Sequence, residues 1–300
     1  MLYTVSKRIF TALLAAICFF VNLSEARGQN TTPPDAESIV YADTVWGDMK
    51  LFLPDSLDAQ TPTDILFTIH GGAWVSGTAK IFYEDCRAAA KAGYIAVAMN
   101  YDKIFNGATG TDMVDAVGKA IAALKAELDS RAIRYGKLIL AGHSAGAHIM
   151  LLYAYTRYAT CPMDIAFVVS NCAPSDFLFT AEKPDSGVGM AAYLILSGLT
   201  KEVITPWTVS RNADAIRAMA PIKQITPDVP PTIIVQGTED KLIPYRCSVA
   251  LYEALQANGV DSVHITYEGA GHFLGDQYAD ANAARSEAFY RFTVKYGSAK

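Results

Sequence analysis

The chain has 300 residues, 51% of them hydrophobic and 18% charged, with a formal net charge of −5. That balance supports a substantial core, in one large domain or two small ones, and excludes disordered and collagen-like classes. The acidic surplus and the lack of any basic stripe argue against a nucleic-acid partner, whose phosphates would need neutralising.

Residues 1–26 carry the pattern of a signal peptide. Lys7 and Arg8 precede the uncharged, largely apolar run Ile9 to Val21, and Ser24-Glu25-Ala26 supplies a small-x-small cleavage site. The apolar run is too short for a comfortable membrane span. The expectation is export to a periplasm or beyond, cleavage near Ala26 and no stable membrane insertion afterwards; an uncleaved N-terminal anchor is the alternative. Without this segment 23 basic residues face 29 acidic ones, a net −6. Cys86, Cys161, Cys172 and Cys247 would remain, and spacing alone leaves both disulfides and isolated thiols open. No C-x-x-C pair suggests a redox or zinc site.

Residues 27–37 are polar and proline-containing, a flexible lead-in, and the domain is expected over 38–300. Ser38 to Thr44 and Met49 to Leu53 read as short edge strands around a Trp46-Gly47-Asp48 turn. From residue 65 the pattern changes to a continuous apolar run, ILFTI, suited to a strand covered on both faces. It stops at His70-Gly71-Gly72-Ala73-Trp74. A helix over Lys80 to Ala92 follows, then a strand over 94–100, then a helix from about Thr111 to Asp129. Lys137 to Leu152 next reads as strand, sharp turn and helix. Alternating buried strands and helices predict an α/β fold with a mostly parallel central sheet and helices on both faces.

Another strand covers 165–172, and the next convincing one begins near residue 231. Ordinary connections run about 2 to 6 residues, so the intervening stretch reads as a partial lid insertion over about 173–220. It contains helical segments at Met190 to Leu199 and Ala213 to Ala220. A helix (Tyr245 to Asn258), a strand (Val263 to Glu268) and a last amphipathic helix (Asp280 to Tyr296) complete the chain.

The sharp turn is Gly142-His143-Ser144-Ala145-Gly146. A serine in G-x-S-x-G between strand and helix stands on a strained turn with its hydroxyl clear of the sheet, which makes Ser144 the candidate nucleophile. Alone the pentapeptide arises by chance in roughly one chain of this length in ten, so its companions decide. A serine nucleophile needs a base, an acid to orient that base, and donors for the oxyanion. His272, in the glycine-rich loop after the strand ending near Glu268, is the candidate base. Asp240, after the strand ending at Gly237, is the candidate acid, with adjacent Glu239 in reserve; Asp176 more simply caps the start of the insertion. In a parallel sheet all these loops share the ligand-binding edge.

The order Ser144, Asp240, His272 is the order of α/β-hydrolases. His70-Gly71-Gly72-Ala73-Trp74, G-H-S-A-G, the G-x-x-D loop and G-A-G-H together resemble the hormone-sensitive-lipase-like esterases and their bacterial carboxylesterase relatives. The resemblance covers essentially the whole mature chain. It implies an oxyanion hole from the backbone N–H of Ala145 and of the Gly71-Gly72-Ala73 turn, with His70 shaping that loop, and a reaction that needs no metal or organic cofactor. The chain departs from the pattern at Ala73, where a third glycine would stand, and at Asn100 to Phe105, where many members carry a Y-R-L-A-P-like segment. Both changes bear on substrate preference and leave the catalytic groups intact.

Trp74, Tyr193, Leu194, Leu196 and Trp207 are candidates for the substrate pocket, although apolar helix residues belong to a core more often than to a ligand site. His143, His148 and His264 show no partner pattern and read as packing or surface residues. The leading expectation is an exported serine carboxylesterase for small-molecule or carbohydrate-linked esters of short, acetyl-type acids. The same motifs also resemble kynurenine formamidase. A prolyl-oligopeptidase-type peptidase and a non-catalytic binding protein on the same scaffold are the remaining alternatives.

Overall fold

The computed structural model describes residues 35–57, 60–177 and 189–298. The proposed signal peptide and most of the lead-in lie outside the described residues. Eight strands form one sheet: β1 (Glu37–Val40), β2 (Asp48–Phe52), β3 (Thr63–Ile69), β4 (Ile95–Met99), β5 (Tyr135–His143), β6 (Ile165–Asn171), β7 (Thr232–Gly237) and β8 (Ser262–Tyr267). Their spatial order is β1-β2-β4-β3-β5-β6-β7-β8. The first two run antiparallel to their neighbours, and β4 through β8 pair in parallel.

The central strands place apolar residues on both faces because helices cover both. On β5 the alternation shows directly: Leu138 and Leu140 join one core cluster while Ile139 and Ala141 join the other. On the first face lie α2 (Gly110–Ser130), α3 (Ala145–Arg157) and α6 (Tyr245–Ala257), which contribute Val117, Ile149 and Leu251. On the second lie α1 (Tyr83–Lys91) and α7 (Ala279–Tyr296), the latter through Ala288 and Phe292. Every residue of α3 from Ala145 to Tyr155 is buried, as expected of a helix apolar all round.

Between β6 and β7 the chain forms α4 (Gly189–Thr200) and α5 (Ala213–Ala218). Tyr193, Leu196 and Leu199 of α4 are buried at helical spacing in the main core. The expected short strand after residue 38 ends at Val40 rather than Thr44, because the chain turns there: Tyr41 and Ala42 donate their N–H groups to Gly47 O. Among the described residues, Cys86, Cys161, Cys172 and Cys247 are free thiols. Among the described residues no helix is long and apolar enough to cross a membrane.

The parallel pairing decides where chemistry can happen. Ile69 is level with Gly142, His143 with Asn171, and Gly237 with Tyr267. The loops that follow β3, β5, β7 and β8 therefore leave the sheet at one edge, carrying His70–Trp74, Ser144, Asp240 and His272.

Candidate active site

Ser144 sits between β5 and α3 with φ 54° and ψ −122°, a backbone region that costs a non-glycine residue about 1–3 kcal/mol. The flanking glycines permit it. A Cβ on Gly142 would lie 2.6 Å from Ala147 N, and one on Gly146 would lie 2.3 Å from Ile69 O and 2.5 Å from His70 O. The turn is held from the neighbouring strand, where Ser144 N–H donates to Asn171 O at 2.8 Å and Asn171 Nδ2 donates to Gly142 O at 2.8 Å.

The glycine-rich loop after β3 reaches the serine. A Cβ on Gly71 would come within 3.2 Å of Ser144 Cβ, so only glycine lets the two loops close up. Gly72, at φ 117°, accepts hydrogen bonds on its carbonyl from Val75 N (3.0 Å) and Ser76 N (2.9 Å). Ala73 and Trp74 both adopt left-handed φ values, 52° and 60°; the alanine thus occupies a glycine-type conformation without being glycine. Ala145 is fully buried at the start of α3.

Trp74 is a packing anchor. It is 5% exposed, lies against Phe177, and donates Nε1–H to His148 Nδ1 at 3.1 Å, while His148 Nε2–H donates to Met219 O at 2.7 Å. His148 thereby ties the loop after β3, helix α3 and the segment after α5 together. Its imidazole is pushed down to about 4 by burial and stays neutral. Tyr193 is buried, Leu194 is half-buried, and Trp207 stands 89% exposed, outside any buried pocket wall.

Asp240 and His272 meet. His272 Nδ1–H donates to Asp240 Oδ2 at 2.7 Å, and both side chains are buried. Glu239, the reserve acid, is exposed. The two loops are stitched by Glu239 N–H to Ala270 O at 2.9 Å, and Gly237 has no room for a Cβ, which would lie 2.4 Å from both Ala270 O and Gly271 O. Asp240 Oδ1 accepts from Leu242 N (2.8 Å) and Ile243 N (2.9 Å). Burial works against the Asp240 carboxylate, but His272 and the two backbone donors outweigh it and hold the group below its ordinary value.

Sequence reasoning passed over His143. Its ring lies 4.8 Å from His272 between centroids, stacks on Phe273 at 5.6 Å, and donates Nε2–H to His272 O at 3.0 Å. Burial, then repulsion from His272, pushes His143 down to about 4, so it holds the His272 backbone as a neutral donor. The one signal available was its position beside the serine. Phe273, 72% exposed, and Leu242, 50% exposed, give the surroundings an apolar rim. His143, Cys172 and His272 place three ligand-type atoms within 4.8 Å of one another. Two of these residues are already committed, His272 to Asp240 and His143 to the His272 carbonyl, and burial raises the Cys172 thiol to about 12.

His70 is a packing residue in this geometry. It is buried, stacks on Tyr101 with centroids 4.5 Å apart, and donates Nδ1–H to Gly71 O at 2.6 Å. Nearby, the Lys103 ammonium lies 3.6 Å from the Trp46 ring centroid and 5.0 Å from that of Tyr101, with no hydrogen-bond partner among the described residues. Burial pulls Lys103 down to about 7. An unfolded lysine titrates near 10.4, so between those values the unfolded chain binds more protons and folding stability rises with pH. The penalty is fully present below pH 7. Lys103→Met is expected to remove that rise and to stabilise the protein at pH 6.5 by about 1–2 kcal/mol, since the lost cation–π contact offsets part of the gain. Urea denaturation of both proteins at pH 6.5 and 9 measures this.

A family model described as BD-FAE matches residues 49–255. The chain belongs to the BD-FAE family. Esterase LipC of Mycobacterium tuberculosis (strain ATCC 25618 / H37Rv) is 24% identical to this BD-FAE chain over 231 residues, 70% of the chain and 53% of that protein. The isoprenylcysteine alpha-carbonyl methylesterase ICME of Arabidopsis thaliana is 24% identical over 288 residues, 91% of the chain and 66% of that protein. The chain thus spans about half to two thirds of the length of these relatives. Among solved structures, esterase B from Lactobacillus rhamnosis (HN001) superposes with a TM-score of 0.75 at 18% identity, covering 95% of each chain. Propionate-bound Est2 of Thermogutta terrifontis gives 0.67 at 20% identity, covering 87% of this chain and 94% of its own. These likenesses establish the α/β-hydrolase fold for the BD-FAE chain.

Proposed function

We propose that this BD-FAE chain is an exported serine carboxylesterase acting on small, acetyl-type esters. The observation that carries the reading is the buried 2.7 Å Asp240–His272 pair on the same sheet edge as the strained Ser144, with the Gly71 loop closed against that serine. The esterase names of the BD-FAE chain's relatives agree with it. Ser144 Oγ attacks the ester carbonyl while His272 takes its proton and passes it to the leaving alcohol. His272 then activates water to release the acid. Asp240 accepts the Nδ1–H of His272, which leaves Nε2 as the base and stabilises the imidazolium. Backbone N–H groups of Ala145 and of Gly71 to Ala73 receive the oxyanion. Short acyl groups are favoured because Trp74, Tyr193 and Leu196 are spent on packing. The pattern of residues 1–26 supports export.

A p-nitrophenyl ester series tests the acyl preference. From acetate to octanoate kcat/KM is expected to fall at least about tenfold. A flat or rising series would remove the short-chain assignment, and faster turnover of N-formylkynurenine than of any ester would replace the ester bond by a formamide.

A further inference from the structure

Gln236 lies on β7, level with Thr266 of β8, and is fully buried. Its Nε2 donates to Asp240 Oδ2 at 2.7 Å and to Ile243 O at 3.2 Å. Its Oε1 has no hydrogen-bond partner among the described residues. The amide orientation follows from its neighbours: turned over, Oε1 would face a carboxylate and a carbonyl, three acceptors with no proton between them.

An orphaned buried carbonyl costs about 1–3 kcal/mol, a cost that a leucine of similar volume would avoid. The amide therefore carries a role that packing alone does not explain. Resting on the triad reading above, we propose that Gln236 is a positioning residue for the Asp240–His272 pair, its amide N–H holding the same carboxylate oxygen that accepts from His272. The two backbone donors fix Oδ1, and Gln236 fixes Oδ2. Two donors on each oxygen, with the Cys172 thiol beside the same carboxylate, hold it against the imidazole. The amide N–H also takes up part of the charge on Oδ2, which limits how strongly the carboxylate stabilises a protonated His272.

Gln236→Leu deletes this donor together with the orphaned carbonyl. Its kcat on p-nitrophenyl acetate is expected to fall about 10–100-fold, as for other residues that orient a reacting group, with KM unchanged. The acid limb of its pH–rate profile moves to higher pH, because Oδ2 then carries more charge toward His272. Gln236→Glu adds a signature that lost packing would not produce. Two carboxylates sharing one site cannot both ionise readily, so the pair holds a proton to raised pH. While protonated, the glutamic acid donates to Asp240 as the amide does; once ionised, it does not. The Gln236→Glu to Gln236→Leu activity ratio is therefore expected to be largest at the acid end of the active range and to collapse toward the alkaline end. A Gln236→Leu kcat within twofold of wild type, or a ratio flat with pH, overturns the proposal. If Gln236→Leu does not fold, the Gln236→Glu to wild-type ratio is read in the same way. Ser144→Ala measured alongside separates the two ideas: if it stays active the triad reading fails, and if it is inactive while the Gln236 variants behave as wild type, only the positioning role fails.

Discussion

Ser144→Ala is expected to lower kcat for p-nitrophenyl acetate by about 10⁵–10⁶-fold, the scale on which serine hydrolases lose activity with their nucleophile. A remnant above the uncatalysed rate should survive, because the backbone donors and the binding site remain. The fold should survive as well. Alanine meets the same strained φ and ψ as the serine it replaces, so the midpoint of thermal unfolding should hardly move. Ser144→Gly gives the complementary result: equal loss of activity with a stability gain of about 1 kcal/mol or more, because glycine relieves a conformation costing about 1–3 kcal/mol. A fluorophosphonate probe should label the wild-type protein and neither variant. Wild-type turnover by Ser144→Ala would sink the catalytic assignment.

Asp240→Asn carries the second large effect, a loss of about 10⁴-fold in kcat. The reason is the tautomer. Asp240 Oδ2 accepts the Nδ1–H of His272 at 2.7 Å; an asparagine that turns its NH₂ toward the ring instead donates to Nδ1 and puts the proton on Nε2, where the base must be free. Leu242 and Ile243 N–H both point at Oδ1, so the asparagine carbonyl is drawn to that side and the amide nitrogen is left facing His272. Glu239→Gln, on the exposed neighbouring residue, should leave kcat within about twofold. Kinetics on the three proteins at pH 8 decide the matter, and a larger loss for Glu239→Gln than for Asp240→Asn would reverse the assignment of the acid.

Much of this architecture is legible in the chain itself because its signals are local. The apolar runs at 65–69 and 165–169, set among alternating helices, read as covered strands, and both stand in the sheet. The glycines at 71, 142, 146 and 237 stand where loops cross within van der Waals contact, a demand that only the absence of a side chain satisfies. The choice between Glu239 and Asp240 had no such signal. Adjacent carboxylates differ in direction, and direction depends on how the loop after β7 packs on the loop after β8.

Chain order and residue type alone determined an alternating α/β fold, a serine on a strand-to-helix turn, and a carboxylate and a histidine at later strand ends. Only the tertiary structure decided which side chains share a hydrogen-bond network. It drew His143 against His272 as a neutral donor, spent Trp74 and His148 on anchoring the loop after β3, left Trp207 in solvent, and set Gln236 on the oxygen that His272 uses. The division has a physical origin. Periodicity and turn chemistry act between residues a few positions apart, whereas the partners His143 and His272 are 129 positions apart in sequence, Trp74 and His148 74 apart. Even the neighbours Gln236 and Asp240 meet only because the turn through Thr238 and exposed Glu239 folds one back upon the other. Ser144 stands where the loops after β3, β5, β7 and β8 converge, and the packing around it assigns each neighbour its work.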